Sequence, residues 1–278
     1  MVTVHNFSYG LLTPALAYVM SCLGCFLGLR CTTRAREVQG SARIRWLLLA
    51  AVSIGVPGIW GMHFIAMLGF TIPGQTIRYS VPVTILSMVI AVVVVSVGLL
   101  IVGFSGEGLR PLLTGGLIVG LGVSSMHYIG MVAMRMPQSM HYSAGLVILS
   151  VVIGVVTGTV ALLAALRLDA VWSAFAACLI MGVAISGMHY TGMAALHVYP
   201  PVAAHGMAGM PGGASGGSFL VPLIFGITIL TMVVTAAISL SPTDAELRRE
   251  NEAIARIAGQ FSGHLGLGPR DGQAGSLP

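Results

Sequence analysis

The sequence predicts an all-α membrane protein, a polytopic bundle of seven transmembrane helices built from three two-helix repeats plus one helix. Three observations carry this expectation. Of 278 residues, 56% are hydrophobic and only 8% are charged, whereas a soluble domain carries about 25% charged residues. Seven apolar runs reach about 20 residues, the length that crosses a roughly 30 Å hydrocarbon core. A short motif also recurs three times, as Met62-His63-Phe64, Met126-His127-Tyr128 and Met188-His189-Tyr190.

The runs cover residues 9–29, 46–70, 81–104, 112–134, 144–166, 171–196 and 219–240. The first follows a start without the basic region and cleavage site of a secretory signal, so it reads as a retained anchor. Arg30, Arg34, Arg36, Arg43 and Arg45 crowd the first connection, which the positive-inside rule makes cytoplasmic. The second run holds the first motif, and Pro57 should bend it six residues before His63. The fourth and sixth hold the other motifs; the third and fifth pair with them, and the seventh closes the bundle. Alternation then puts Arg110, Arg167, Arg248, Arg249, Arg256 and Arg270 inside and only Arg78 and Arg135 outside. The expected orientation is N-terminus outside and C-terminus cytoplasmic, in the plasma membrane.

Residues 1–240 are thus the membrane domain and 241–278 a short cytoplasmic tail. Ser241-Pro242-Thr243-Asp244 resembles a helix start, giving a helix over about 243–260 and disorder after Gly263. Leu247, Ile254, Ile257, Ala258 and Phe261 make a narrow apolar stripe. It suits a homo-oligomer, a partner helix or a membrane surface.

Composition also excludes function classes. The net charge of +5 comes from arginines flanking spans, which is no nucleic-acid signature. All thirteen basic residues are arginine, so a lysine Schiff base is ruled out. Cys22 and Cys25 read as small packing residues, with a redox or metal pair as the alternative.

The motifs carry the chemistry. An ionisable side chain inside a membrane is by default a functional hypothesis. His63 follows Trp46 by 17 residues, His189 follows Trp172 by 17, and His127 follows Pro111 by 16. At 1.5 Å per residue all three lie at one depth, about 24–26 Å from the inner boundary. Each motif has a second methionine four residues after its histidine: Met67, Met131 and Met193. On a helix, residues four apart share a face, so three helices can aim imidazoles and thioethers at one point. Met62, Met126 and Met188, one residue before each histidine, are rotated by about 100° and serve a neighbouring helix or pack as core. Imidazole suits copper, zinc, iron and nickel, while thioether selects Cu(I); copper is the expected metal. Phe64, Tyr128 and Tyr190 would line a pocket beside it, and a tyrosine hydroxyl could bond an imidazole or a bound gas.

These residues resemble the MHYT-domain integral membrane proteins of bacteria. The likeness rests on Gly58-Ile59-Trp60-Gly61-Met62-His63-Phe64-Ile65-Ala66-Met67, on Met126 to Met131 and on Met188 to Met193. Only the third copy spells the full signature, because the first has Phe64 for tyrosine. The resemblance implies a sensory domain that binds copper and, through it, dioxygen, carbon monoxide or nitric oxide. Members often carry cyclic-di-GMP or kinase domains; none is expected in this sequence, so a signal would pass to a separate cytoplasmic partner. The expected role is a sensor and not an enzyme. The alternatives are a copper transporter or chaperone, fed by His197, His205, Met207 and Met210 and by residues 136–142, and a haem protein using two of the histidines.

Overall fold

A computed structural model describes residues 2–105, 108–200, 213–240, 252–254 and 256–257. Seven helices are long and apolar enough to cross a membrane. They are α1 (Leu12–Glu37), α2 (Gly40–Met67), α3 (Val81–Phe104), α4 (Leu109–Val132), α5 (Ala144–Arg167), α6 (Val171–Ala194) and α7 (Gly216–Ser239). The chain is a multi-pass membrane protein. Its compact bundle ends at Ile238. Beyond it, Glu252–Ile254, Arg256 and Ile257 are helical, inside the expected tail helix. The expected disorder after Gly263 lies outside the described residues, as do His205, Met207 and Met210.

Lipid-facing and core-facing sides separate cleanly. Val89, Val93 and Val97 of α3 and Ile148, Val152 and Val156 of α5 are exposed at four-residue spacing. Such stripes would be a liability in water and are the norm against hydrocarbon.

Two helices differ from expectation. The first connection is not an arginine-rich loop: α1 continues to Glu37, so Arg30, Arg34 and Arg36 sit on its last turns. Nothing in Arg30 to Glu37 breaks a helix, and the turn is confined to Val38 and Gln39. It closes at Gly40, whose φ of 61° favours glycine. Arg36 is thereby placed to donate to the carbonyls of Ala165 and Leu168, which end α5, and to pair with Asp169. In α2, Pro57 produces a π-helical segment over Ile54–Gly61. Proline has no N–H to give the fourth preceding carbonyl, and the wider π turn is the local answer. That segment ends directly before Met62, and α1 lies close against it. A Cβ on Gly24 would fall 2.5 Å from the Cα of Gly58 and 2.7 Å from the Ser53 carbonyl oxygen.

At the motif end the described residues of the connections form a small cap. β1 (Arg78–Tyr79) lies between β2 (Met134–Arg135) and β5 (Ala214–Ser215), antiparallel to both. β3 (Ser139–Tyr142) pairs antiparallel with β4 (Leu196–Tyr199), setting His141 opposite His197. The N-terminal segment joins them: His5 bridges to Thr71, Val2 N–H donates to the Val198 carbonyl at 2.8 Å, and the Ser8 and Thr71 hydroxyls are hydrogen-bonded.

Candidate metal site

The three motif helices bring His63, His127 and His189 together. Each is at most 1% exposed. Their Nδ1 atoms form a near-equilateral triangle, 3.0 Å from His63 to His189, 3.1 Å from His127 to His63 and 3.2 Å from His189 to His127. The rings stand nearly perpendicular to one another, with centroids 4.9–5.0 Å apart. Equal depth, expected from spacing along each helix, is realised as direct convergence.

Hydrogen bonding cannot satisfy this triangle. A neutral imidazole nitrogen is either an N–H donor or a lone-pair acceptor, never both. Among three nitrogens two must be alike, so at least one contact sets lone pair against lone pair or proton against proton. A cation at the centre removes the conflict, because all three then act as acceptors. The centre lies about 1.8 Å from each nitrogen, close to the roughly 2.0–2.1 Å of an imidazole–metal bond. The donor set therefore fits a metal ion. Among the described residues this is the one group of three or more His, Cys, Asp or Glu whose donor atoms converge in this way. All four cysteines are free.

All six motif methionines are buried. Met188 lines an apolar cavity of about 30 Å³ at the centre of the bundle, room for one small molecule. Its other walls include Val95, Leu99, Val123, Gly158 and Met181. Met67 instead borders a separate groove with Thr13, Phe70 and Tyr79.

Each aromatic at the position after the histidine stands edge-on to its own imidazole, with centroids 4.7 Å away for Phe64, 4.8 Å for Tyr128 and 4.9 Å for Tyr190. Each also meets an aromatic of the cap: Tyr79 at 6.0 Å from Phe64, Tyr142 at 5.6 Å from Tyr128 and Phe7 at 5.4 Å from Tyr190. These cap residues were not among the expected site residues. The repeated dipeptide Tyr79-Ser80 and Tyr142-Ser143 is the signal that marks two of them. The Ser80 and Ser143 N–H groups donate to Ala133 and Ala195, each six residues after a motif histidine.

The repeat also explains Phe64. Beside the second motif the Tyr128 hydroxyl hydrogen-bonds Ser150 Oγ at 2.7 Å, and Ser150 donates to the Val147 carbonyl. The matching serine beside the first motif, seven residues after Ser80 as Ser150 is after Ser143, is Ser87. It donates to the Thr84 carbonyl and accepts the Trp60 indole N–H at 2.9 Å. Trp60 packs 5.0 Å from the Phe64 ring. Its indole thus takes the partner that a tyrosine hydroxyl would have used.

Residues 57–115 and 120–178 each match the family model MHYT, described as a bacterial signalling protein N-terminal repeat. The chain belongs to the MHYT family. The third MHYT motif, at 188–193, lies beyond the matched residues, yet its histidine completes the triangle. Relatives are signalling proteins. The bifunctional diguanylate cyclase/cyclic di-GMP phosphodiesterase MucR of Pseudomonas aeruginosa is 33% identical over 253 residues, 89% of this chain and 36% of the relative. The cyclic di-GMP phosphodiesterase NbdA of the same organism is 35% identical over 204 residues, 71% of this chain and 26% of the relative. An uncharacterized signaling protein of Caulobacter vibrioides is 33% identical over 205 residues, 72% and 24%. The chain thus spans about a third or less of the curated relatives' length. No solved structure matches it.

Proposed function

We propose that this MHYT domain is a membrane sensor whose buried triad of His63, His127 and His189 binds copper. The observation that carries the reading is the triangle of three Nδ1 atoms that no arrangement of protons satisfies. Three neutral nitrogen donors, buried among apolar residues and thioethers, favour a soft monovalent ion over magnesium, calcium or manganese, which want oxygen ligands. Bound copper would supply an open position for a small neutral gas such as dioxygen, carbon monoxide or nitric oxide. The protein's own share is to exclude water, hold the imidazoles fixed and keep an apolar cavity beside Met188 where a gas can dock.

Haem fits poorly. Two axial histidines need about 4 Å between ligating nitrogens, at about 2.0 Å per bond, with a macrocycle between them. Edges of 3.0–3.2 Å leave no room for it. Copper transport is also a weaker reading, because the cavity walls are aliphatic apart from Met181, Met188 and Thr157. With the N-terminus outside the plasma membrane, output would pass to a cytoplasmic partner, either on the same polypeptide or separate.

The test is metal analysis with absorption spectroscopy on the detergent-purified protein, beside the triple change of His63, His127 and His189 to Ala. Copper in the parent and none in the folded variant, without a Soret band, is the expected result. A well-folded parent that stays empty after Cu(I) loading would refute it.

A further inference from the structure

The three motifs interlock through a position whose role beyond helix packing is set by geometry, the third residue after each histidine. An ideal Cβ on Gly130 falls 2.5 Å from Nε2 of His63 and 3.1 Å from its Cδ2. On Gly192 it would meet Nε2 of His127 in the same way, with Cδ2 at 2.9 Å. Neither glycine has a positive φ; the reason for glycine here is space. The imidazole of the first motif therefore rests in a notch on the second motif's helix, and the second motif's imidazole rests in a notch on the third. Ala66 holds the same offset in the first motif, where a methyl group replaces the notch.

The seated edge has a definite chemistry. Nε2 of His63 and of His127 are buried and have no hydrogen-bond partner, while both Nδ1 atoms face the centre. We infer that Gly130 and Gly192 are positioning residues of the metal site, each seating the Nε2 edge of the preceding motif's imidazole so that Nδ1 is the ligand atom. This rests on the proposed metal-binding function. Each glycine-bearing motif then supplies one ligand and orients its neighbour's. Metal-bound histidines usually donate their second N–H to a carboxylate or carbonyl, which raises ligand basicity. His63 and His127 lack that partner, so they are weaker donors and better suited to a monovalent than to a divalent ion.

The experiment is nuclear magnetic resonance of histidine-labelled full chain in detergent, without metal and after loading with Cu(I), together with Cu(I) titrations of variants. Expected in the metal-free protein is the Nε2–H tautomer for His63 and His127, with the Nδ1 signals shifting on loading. Gly130→Ala and Gly192→Ala should weaken Cu(I) binding by about 10–100-fold, the usual effect of losing an orienting group. Gly120→Ala is the packing control: its Cβ would fall 2.8 Å from the Gly154 carbonyl carbon, away from the triad. It should lower stability and leave affinity unchanged. Ligation through Nε2, or equal weakening by all three variants, would overturn the inference. A parent that binds no copper fails the proposed function instead. The metal-free tautomers then judge the seats, Nε2–H upholding them and Nδ1–H overturning them.

Discussion

Changing Phe64 to Tyr is expected to destabilise the bundle unless Trp60 is changed with it. Phe64 is 1% exposed, and the serine that would receive a new hydroxyl already accepts the Trp60 indole N–H. Burying a hydroxyl without a partner costs about 1–3 kcal/mol, so F64Y alone should lose stability in that range. W60F alone removes the indole bond and part of the ring volume while leaving Ser87 bonded to Thr84. In the double variant Ser87 is free to accept the new phenol, as Ser150 accepts Tyr128. The double variant should therefore be more stable than the summed single effects by about 1 kcal/mol. That is the scale of hydrogen bonds inside membranes, about 0.6 on average and up to about 1.7 kcal/mol. Reversible unfolding in mixed micelles, followed by circular dichroism, measures all four proteins of the cycle. An F64Y protein as stable as the parent would refute the reasoning, as would a double variant no better than the sum.

Other consequences are equally open to measurement. Arg36→Ala should destabilise the bundle by about 1–3 kcal/mol through the two helix-ending carbonyls it leaves without a charged donor, and Arg36→Lys should recover only part, since ammonium lacks the fork; unfolding titrations decide. Most of that effect belongs to the carbonyls, because the exposed pair with Asp169 adds little. Burial, helped by the nearby Tyr128, pushes the Tyr142 phenol up to about 12. Its contribution to stability is then complete below the unfolded value of about 10 and is lost as pH rises from there towards about 12. An ultraviolet phenolate titration in which Tyr142→Phe removes no late-titrating group would contradict this. Each single change of a triad histidine to Ala should leave a two-nitrogen site and weaken Cu(I) binding by well over tenfold, read by competition with a chelator of known affinity.

The histidine site was legible because helix geometry is so regular. Intervals of 16 and 17 residues from Pro111, Trp46 and Trp172 to the histidines become equal depth, and equal depth on three neighbouring helices becomes a triangle. The span positions were readable for the same reason, to within a few residues at most ends. The first span was not, because arginines that read as a loop are good helix formers and can reach out of a membrane while still helical. The cap escaped notice because its strands are two to four residues long, too short for an alternating pattern. Their pairing follows from where the helices end, not from local propensity. The partner exchange at Ser87 was hidden as well. Phe64 looked like a departure from the motif until Trp60, four residues earlier on the same helix, was seen to use its serine.

The cap has a consequence for time. Phe7, Tyr79 and Tyr142 rest on the three rings beside the histidines, and strands from three connections and the N-terminal segment are tied together around them. On the proposed reading, an ion held by the Nδ1 triangle would have to pass that assembly, so its residence would depend on the breathing of the cap as well as on its three bonds. A small apolar gas dissolves in the bilayer and needs no such opening. On the proposed reading, the same enclosure that would make a metal a lasting tenant would let a gas come and go, and a sensor of that kind needs one to be permanent and the other fleeting.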